Sequence, residues 1–242
     1  MINGLKSLST LISQKVNSTK RGGRCVTCLS PHASFGLCQG CRDDLPAIRW
    51  ACHTCALPLP FASPGLQCGE CQVAKPPFSR ALIPWRYQFP VDGMIGRYKY
   101  NGHRKFVRPL LAGFGDFLEQ QLAADQRPDA LIPAPMHWSR RWQRGFNQAL
   151  DIAEFVGSQL DIPVAGDVVR RRRRVTAQRK LNRAERLVNL AGVFEVCGPV
   201  PARVAIVDDV VTTGATAKLL ADALRDAGAR DIQVWALART PG

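Results

Sequence analysis

The chain has 242 residues, 46% of them hydrophobic and 21% charged, which suits one α/β domain with an appendage and excludes two large domains. No run approaches eighteen consecutive apolar residues, so no integral membrane segment is expected. The net charge of +14 and a pI near 9.9 point to a polyanionic partner: nucleic acid, a phosphate-rich metabolite, or both.

Residues 1–20 place Ile2, Leu5, Leu8, Ile12 and Val16 at helical spacing, which predicts a short amphipathic helix. The stretch does not read as a signal peptide, and a cytoplasmic protein is expected. Eight of the nine cysteines then fall in residues 21–75 as four Cys-x-x-Cys pairs: Cys25/Cys28, Cys38/Cys41, Cys52/Cys55 and Cys68/Cys71. Two residues between thiolates let one tight turn offer both sulfurs to a metal, and two such turns close a four-thiolate site. The spacing predicts two successive structural zinc ribbons, 25/28 with 38/41 and 52/55 with 68/71. Spacing alone leaves the interleaved pairing open, and an iron–sulfur or redox dithiol role as well. His32 and His53 are read as bystanders, and Cys197 as a small buried hydrophobe or an idle thiol.

Composition shifts near residue 80, and residues 80–242 alternate apolar strands with helical patterns, as in an α/β domain with a mainly parallel central sheet flanked by helices. Helices are expected over 106–122, 147–160 and 217–227, with Gly228 just beyond the last. Strands are expected over 130–133, 164–169, 204–207 and 232–237.

The string Val204-Ala-Ile-Val-Asp-Asp-Val-Val-Thr-Thr-Gly-Ala-Thr216 runs from a buried strand into a helix. There, backbone N–H groups and the helix N-terminus converge on an anion. Thr212, Thr213 and Thr216 add hydroxyls, and Gly214 permits close backbone approach. Asp208 and Asp209 need partners in such a place, which sugar hydroxyls or a divalent ion would supply. No Walker P-loop motif occurs.

This string resembles the PRPP-binding signature of type I phosphoribosyltransferases. With the cysteine pairs, with Ile132-Pro-Ala-Pro135 and Arg144-Gly-Phe-Asn-Gln148, and with Gln178, Leu181, Arg186, Asn189 and Phe194, the chain resembles the ComF family of competence proteins. The resemblance implies a type I phosphoribosyltransferase fold behind an N-terminal double zinc ribbon. It implies that Asp208 and Asp209 hold the ribose hydroxyls and that Val211, Thr212, Thr213, Gly214, Ala215 and Thr216 hold the 5-phosphate. Arg144 and Gly145 would lie by the pyrophosphate of PRPP with its Mg²⁺, making Asp208, Asp209 and Arg144 the implied catalytic set. Residues 170–186 would form a hood over the site.

Two functional readings follow. One is a PRPP-binding protein of DNA uptake and natural transformation that contacts single-stranded DNA and DNA-uptake machinery proteins. Its DNA contacts would be Arg170–Arg174, within a stretch (166–190) carrying nine cations against two acids, and Trp50, Trp85, Trp138 and Trp142. The other is an active transferase acting on a nitrogenous acceptor. The sequence shows no nucleobase-recognition element and no N-terminal cysteine to serve a glutaminase.

Overall fold

The computed structural model describes residues 23–62, 65–136, 145–172 and 193–241. The expected helix over 1–20, together with Arg144, Trp138, Trp142 and most of the 170–186 hood, lies outside them. The chain divides into two compact units, residues 1–45 and 46–242.

The smaller unit is organised around Cys25, Cys28, Cys38 and Cys41. Its first pair sits in a knuckle where the Cys25 amide donates to the Ser30 carbonyl at 2.8 Å and the Leu29 amide donates back to the Cys25 carbonyl at 2.9 Å. Cys38 is the N-cap of a short helix, α1 (Gln39–Asp43). The larger unit opens with the same device. The Cys52 amide donates to Leu57 at 2.8 Å, the Ala56 amide to Cys52 at 3.0 Å, and Cys68 caps α2 (Gly69–Val73). Leu29 and Ala56, each just after a knuckle's second cysteine, both take the left-handed conformation (φ 65° and 56°). The module is therefore an internal repeat.

The rest of the larger unit is a parallel sheet. β1 (Arg80–Leu82) and β2 (Trp85–Arg86) pair successively with β7 (Asp231–Arg239). β7 pairs with β6 (Arg203–Val211), and β6 with β3 (Ala130–Pro133). β6 and β7 are central, and their inner stretches, Val204–Val207 and Val234–Ala238, are apolar throughout, as strands covered on both faces must be. Between β2 and β3 run α3 (Val91–Asn101) and α4 (Arg104–Gln121). α5 (Gln148–Leu160) packs on β3 and β6, and α6 (Ala215–Asp226) on β6 and β7. The core is built from Ile132, Ile206, Leu220, Leu224 and Val234, with Trp235 and Phe114 fully enclosed.

The strand expected over 164–169 is corrected. Residues 166–168, beginning with Gly166, turn in the middle of it. Val164 makes only an isolated parallel bridge to Leu131, and a strand, β4 (Val169–Arg171), begins later and pairs antiparallel with β5 (Phe194–Val196). Among the described residues no helix is long and apolar enough to cross a membrane.

Candidate functional site

Sheet register positions the site. The Ala134 amide donates to the Val207 carbonyl at 2.8 Å, so β3 ends where β6 still has Asp208 to Val211 to run. Those residues project past the neighbouring strand at the carboxyl end of the sheet, the edge where open α/β sheets take ligands. Asp208 bonds back to the chain, its Oδ1 accepting from the Asp209 amide at 2.8 Å. Beyond Val211, whose side chain is buried, Thr212 and Thr213 are exposed. Gly214, at φ 74°, caps α6 in the left-handed conformation, and Thr213 Oγ1 accepts from the Ala215 amide at 3.4 Å. The strand, turn and helix start expected from residues 204–216 are therefore continuous, with Ala215 and Thr216 in the first turn of α6.

The carboxylates have protein partners that the sequence did not disclose. Lys99, from α3, places Nζ 2.8 Å from Asp209 Oδ1, with the two side chains only 15% and 13% exposed. Burial and the neighbouring Asp209 charge push the Asp208 carboxyl up to about 7, while Lys99 and Arg171 pull it the other way. The signal for α3 lies in the spacing of Val91, Met94, Ile95 and Tyr98, followed by Gly102.

The same helix reaches the other side of the site. Tyr98 donates to Asp151 Oδ2 at 3.0 Å and its ring lies 5.2 Å from that of Phe146, while Arg104 pairs with Asp151 at 2.9 Å. Enclosure and the Asp151 charge raise the Tyr98 hydroxyl well above the ordinary phenol range. Gly145, at φ 77°, and Phe146 are thus tied to α3. Asn147 caps α5 through its Oδ1, which accepts from Ala149 at 3.1 Å, and donates through Nδ2 to the Ala134 carbonyl at 3.3 Å.

Two further expectations change. Trp85 is 7% exposed and packs in the core, so it is not a stacking platform, whereas Trp50 is 46% exposed. Within the arginine run, Arg172 is ion-paired with Glu195. Arg171 is half-buried and acts on Asp208, so the run is not a uniform solvent-facing strip.

In each thiolate cluster the four sulfurs lie within 4.8 Å of one another, and Cys28–Cys38 and Cys55–Cys68 contacts are 3.5 and 3.6 Å. Tetrahedral zinc with Zn–S near 2.3 Å needs sulfurs about 3.8 Å apart. Both sets therefore suit zinc, the pairing is successive rather than interleaved, and four thiolates leave no position for substrate.

Competence protein F of Haemophilus influenzae is 33% identical over 226 residues, covering 89% of this chain and 96% of its own. The chain belongs to the competence protein F family. The DNA utilization protein YhgH of Escherichia coli K12 is 31% identical over 223 residues, with 90% and 97% covered. No protein-family model matches the chain. A purine phosphoribosyltransferase from Pyrococcus horikoshii aligns with a TM-score of 0.36 and 20% identity, over 55% of this chain and 72% of that one.

In this competence protein F relative an open cleft of about 660 Å³ lies beside the cradle formed by residues 208–216, with Glu70, Val73 and Ala74 on one side and Thr213, Ala215 and Lys218 on the other.

Proposed function

We propose that the cradle binds the 5-phosphoribosyl group of PRPP with Mg²⁺, and that the protein serves DNA uptake and utilization in the cytoplasm, contacting single-stranded DNA and other uptake proteins. The observation that carries the reading is the placement of Asp208 and Asp209 near the end of a central parallel strand, six and five residues before the glycine that caps the next helix. That arrangement sets acceptors for ribose hydroxyls beside donors for a phosphate. The names borne by the relatives, competence and DNA utilization, and the net charge of +14 support the cellular setting.

Isothermal titration with PRPP and Mg²⁺ tests the first part. Saturable binding that is lost in Asp208→Asn/Asp209→Asn is expected, and no binding to the intact protein sinks it. For the DNA part, affinity for single-stranded oligonucleotides should fall steeply with salt. It should weaken on replacing Arg170–Arg174, and indifference to both refutes the contact.

Turnover is a second reading. Lys99 and Arg171 put two cations near the carboxylates, and positive charge is what a departing diphosphate requires. Pyrophosphate release in the presence of candidate nitrogenous acceptors decides it.

A further inference from the structure

We infer that the second thiolate cluster is a positioning device for the phosphate cradle, acting through Arg239, so that the two metal sites of this chain serve different ends. Arg239 ends β7 and is only 5% exposed. None of the four ion pairs among the described residues gives it a carboxylate. Its guanidinium is held by carbonyl oxygens instead. Nη1 donates to Val211 O at 3.2 Å, to Thr212 O, and to Thr240 O at 3.4 Å, and Nε donates to Cys55 O at 3.4 Å.

A buried guanidinium whose direct partners are carbonyl oxygens is tolerated only while those acceptors stay aligned. Here those acceptors come from three places: the first turn of the cradle, the end of β7, and the knuckle between Cys52 and Cys55. Each constrains the others. Packing makes the same connection. Ala56, in the left-handed turn of that knuckle, is 3% exposed and belongs to the main core with Val211 and Ala217, and Cys55 packs against that core. Between Cys55 and Cys71 on one side and Thr213 and Gly214 on the other, the space left is only about 10 Å³.

Apart from this contact the knuckle has little to hold it. Its own cluster consists of Cys52, Cys68 and Cys71 with Leu57 and Leu59 beside them, too little apolar surface to fold without metal. Zinc at Cys52, Cys55, Cys68 and Cys71 would fix the Cys55 carbonyl and Ala56, and through Arg239 the Val211 and Thr212 carbonyls. The first cluster lies in the other compact unit and serves as the internal control.

Hydrogen exchange on the zinc-loaded full chain tests this without any ligand, so a failure of the PRPP reading leaves the result intact. Arg239→Met should keep two zinc ions per chain by native mass spectrometry, yet speed exchange of the amides of residues 211–216 by about tenfold or more, about tenfold being the effect of losing even one charge-assisted hydrogen bond. Cys68→Ser, losing one zinc, should speed the same amides, whereas Cys38→Ser, also losing one, should leave them unchanged. If Cys68→Ser does not fold, stepwise chelation of the wild-type chain supplies the comparison. Unchanged cradle exchange in Arg239→Met, or an equal effect from losing the first cluster, overturns the inference.

Discussion

Lys99 Nζ stands 2.8 Å from Asp209 Oδ1, joining the last turn of α3 to the carboxyl-end segment of the central strand. Both side chains are largely removed from water, so neither charge is well solvated without the other. Taking one away leaves the second buried and unpaired beside Asp208, a more costly change than losing an exposed pair. Lys99→Met is therefore expected to lower stability by about 2 kcal/mol in urea denaturation. Lys99→Met/Asp209→Asn should recover part of that loss, because the orphaned charge is gone. A double variant as unstable as the sum of the singles would show that the pair contributes nothing of its own.

Asp208 gives a pH signature. Its folded-state value of about 7 lies above the ordinary 3.8, through burial and the adjacent Asp209 charge. Between those values the folded chain keeps a proton that the unfolded chain has released. This group's contribution to stability therefore declines as pH rises from about 4 to about 7, and is constant on either side. Asp208→Asn should remove that slope and leave the protein more stable than wild type near pH 8. Binding should move the opposite way, since ribose hydroxyls need an ionised acceptor: PRPP affinity should strengthen as pH rises through 7. Paired thermal melts and titrations at pH 5, 6, 7 and 8 check both signs.

The parts legible in the sequence were those written in local spacing. Cysteines two apart in a knuckle, an apolar run at 204–207 and the Gly214 turn each depend on neighbours along the chain. The residues that complete the site do not. Lys99 meets Asp209 across more than a hundred residues, and Arg239 reaches Val211 and Cys55 because β7 lies beside β6 and ends there. Charge alone could not distinguish Arg171, half-buried over the Phe194 ring and acting on Asp208, from Arg172, paired with Glu195. Val164 shows the converse failure, where apolar spacing suggested a strand that the turn beginning at Gly166 cuts short.

Asn147 does two jobs with its two side-chain atoms, and these can be separated. Its oxygen caps α5 and its amide nitrogen holds the Ala134 carbonyl next to the end of β3. Asn147→Asp keeps the acceptor and discards the donor, whereas Asn147→Ala discards both. The alanine variant should cost about 1 kcal/mol of stability, the usual value of an N-cap. The aspartate variant should be close to wild type in stability but weaker for PRPP, because the 134–136 segment loses its tether. If the aspartate variant binds as well as wild type, the Ala134 bond plays no part in shaping the site.

Gly214 separates conformational from steric need. Its φ of 74° is one that L-residues resist, yet a Cβ built there would meet only Val211 Cγ1, at 3.9 Å. Folding should therefore register Gly214→Ala through backbone conformation alone, at about 1 kcal/mol. Gly214→Asn should cost less, since asparagine visits the left-handed region more readily. A ligand phosphate seated on the backbone amides of residues 212–216 would instead encounter any side chain at 214. Both variants should then lose PRPP affinity by a larger factor than their stabilities suggest, with asparagine no better than alanine. Affinities that simply track stability across glycine, asparagine and alanine would place the phosphate elsewhere.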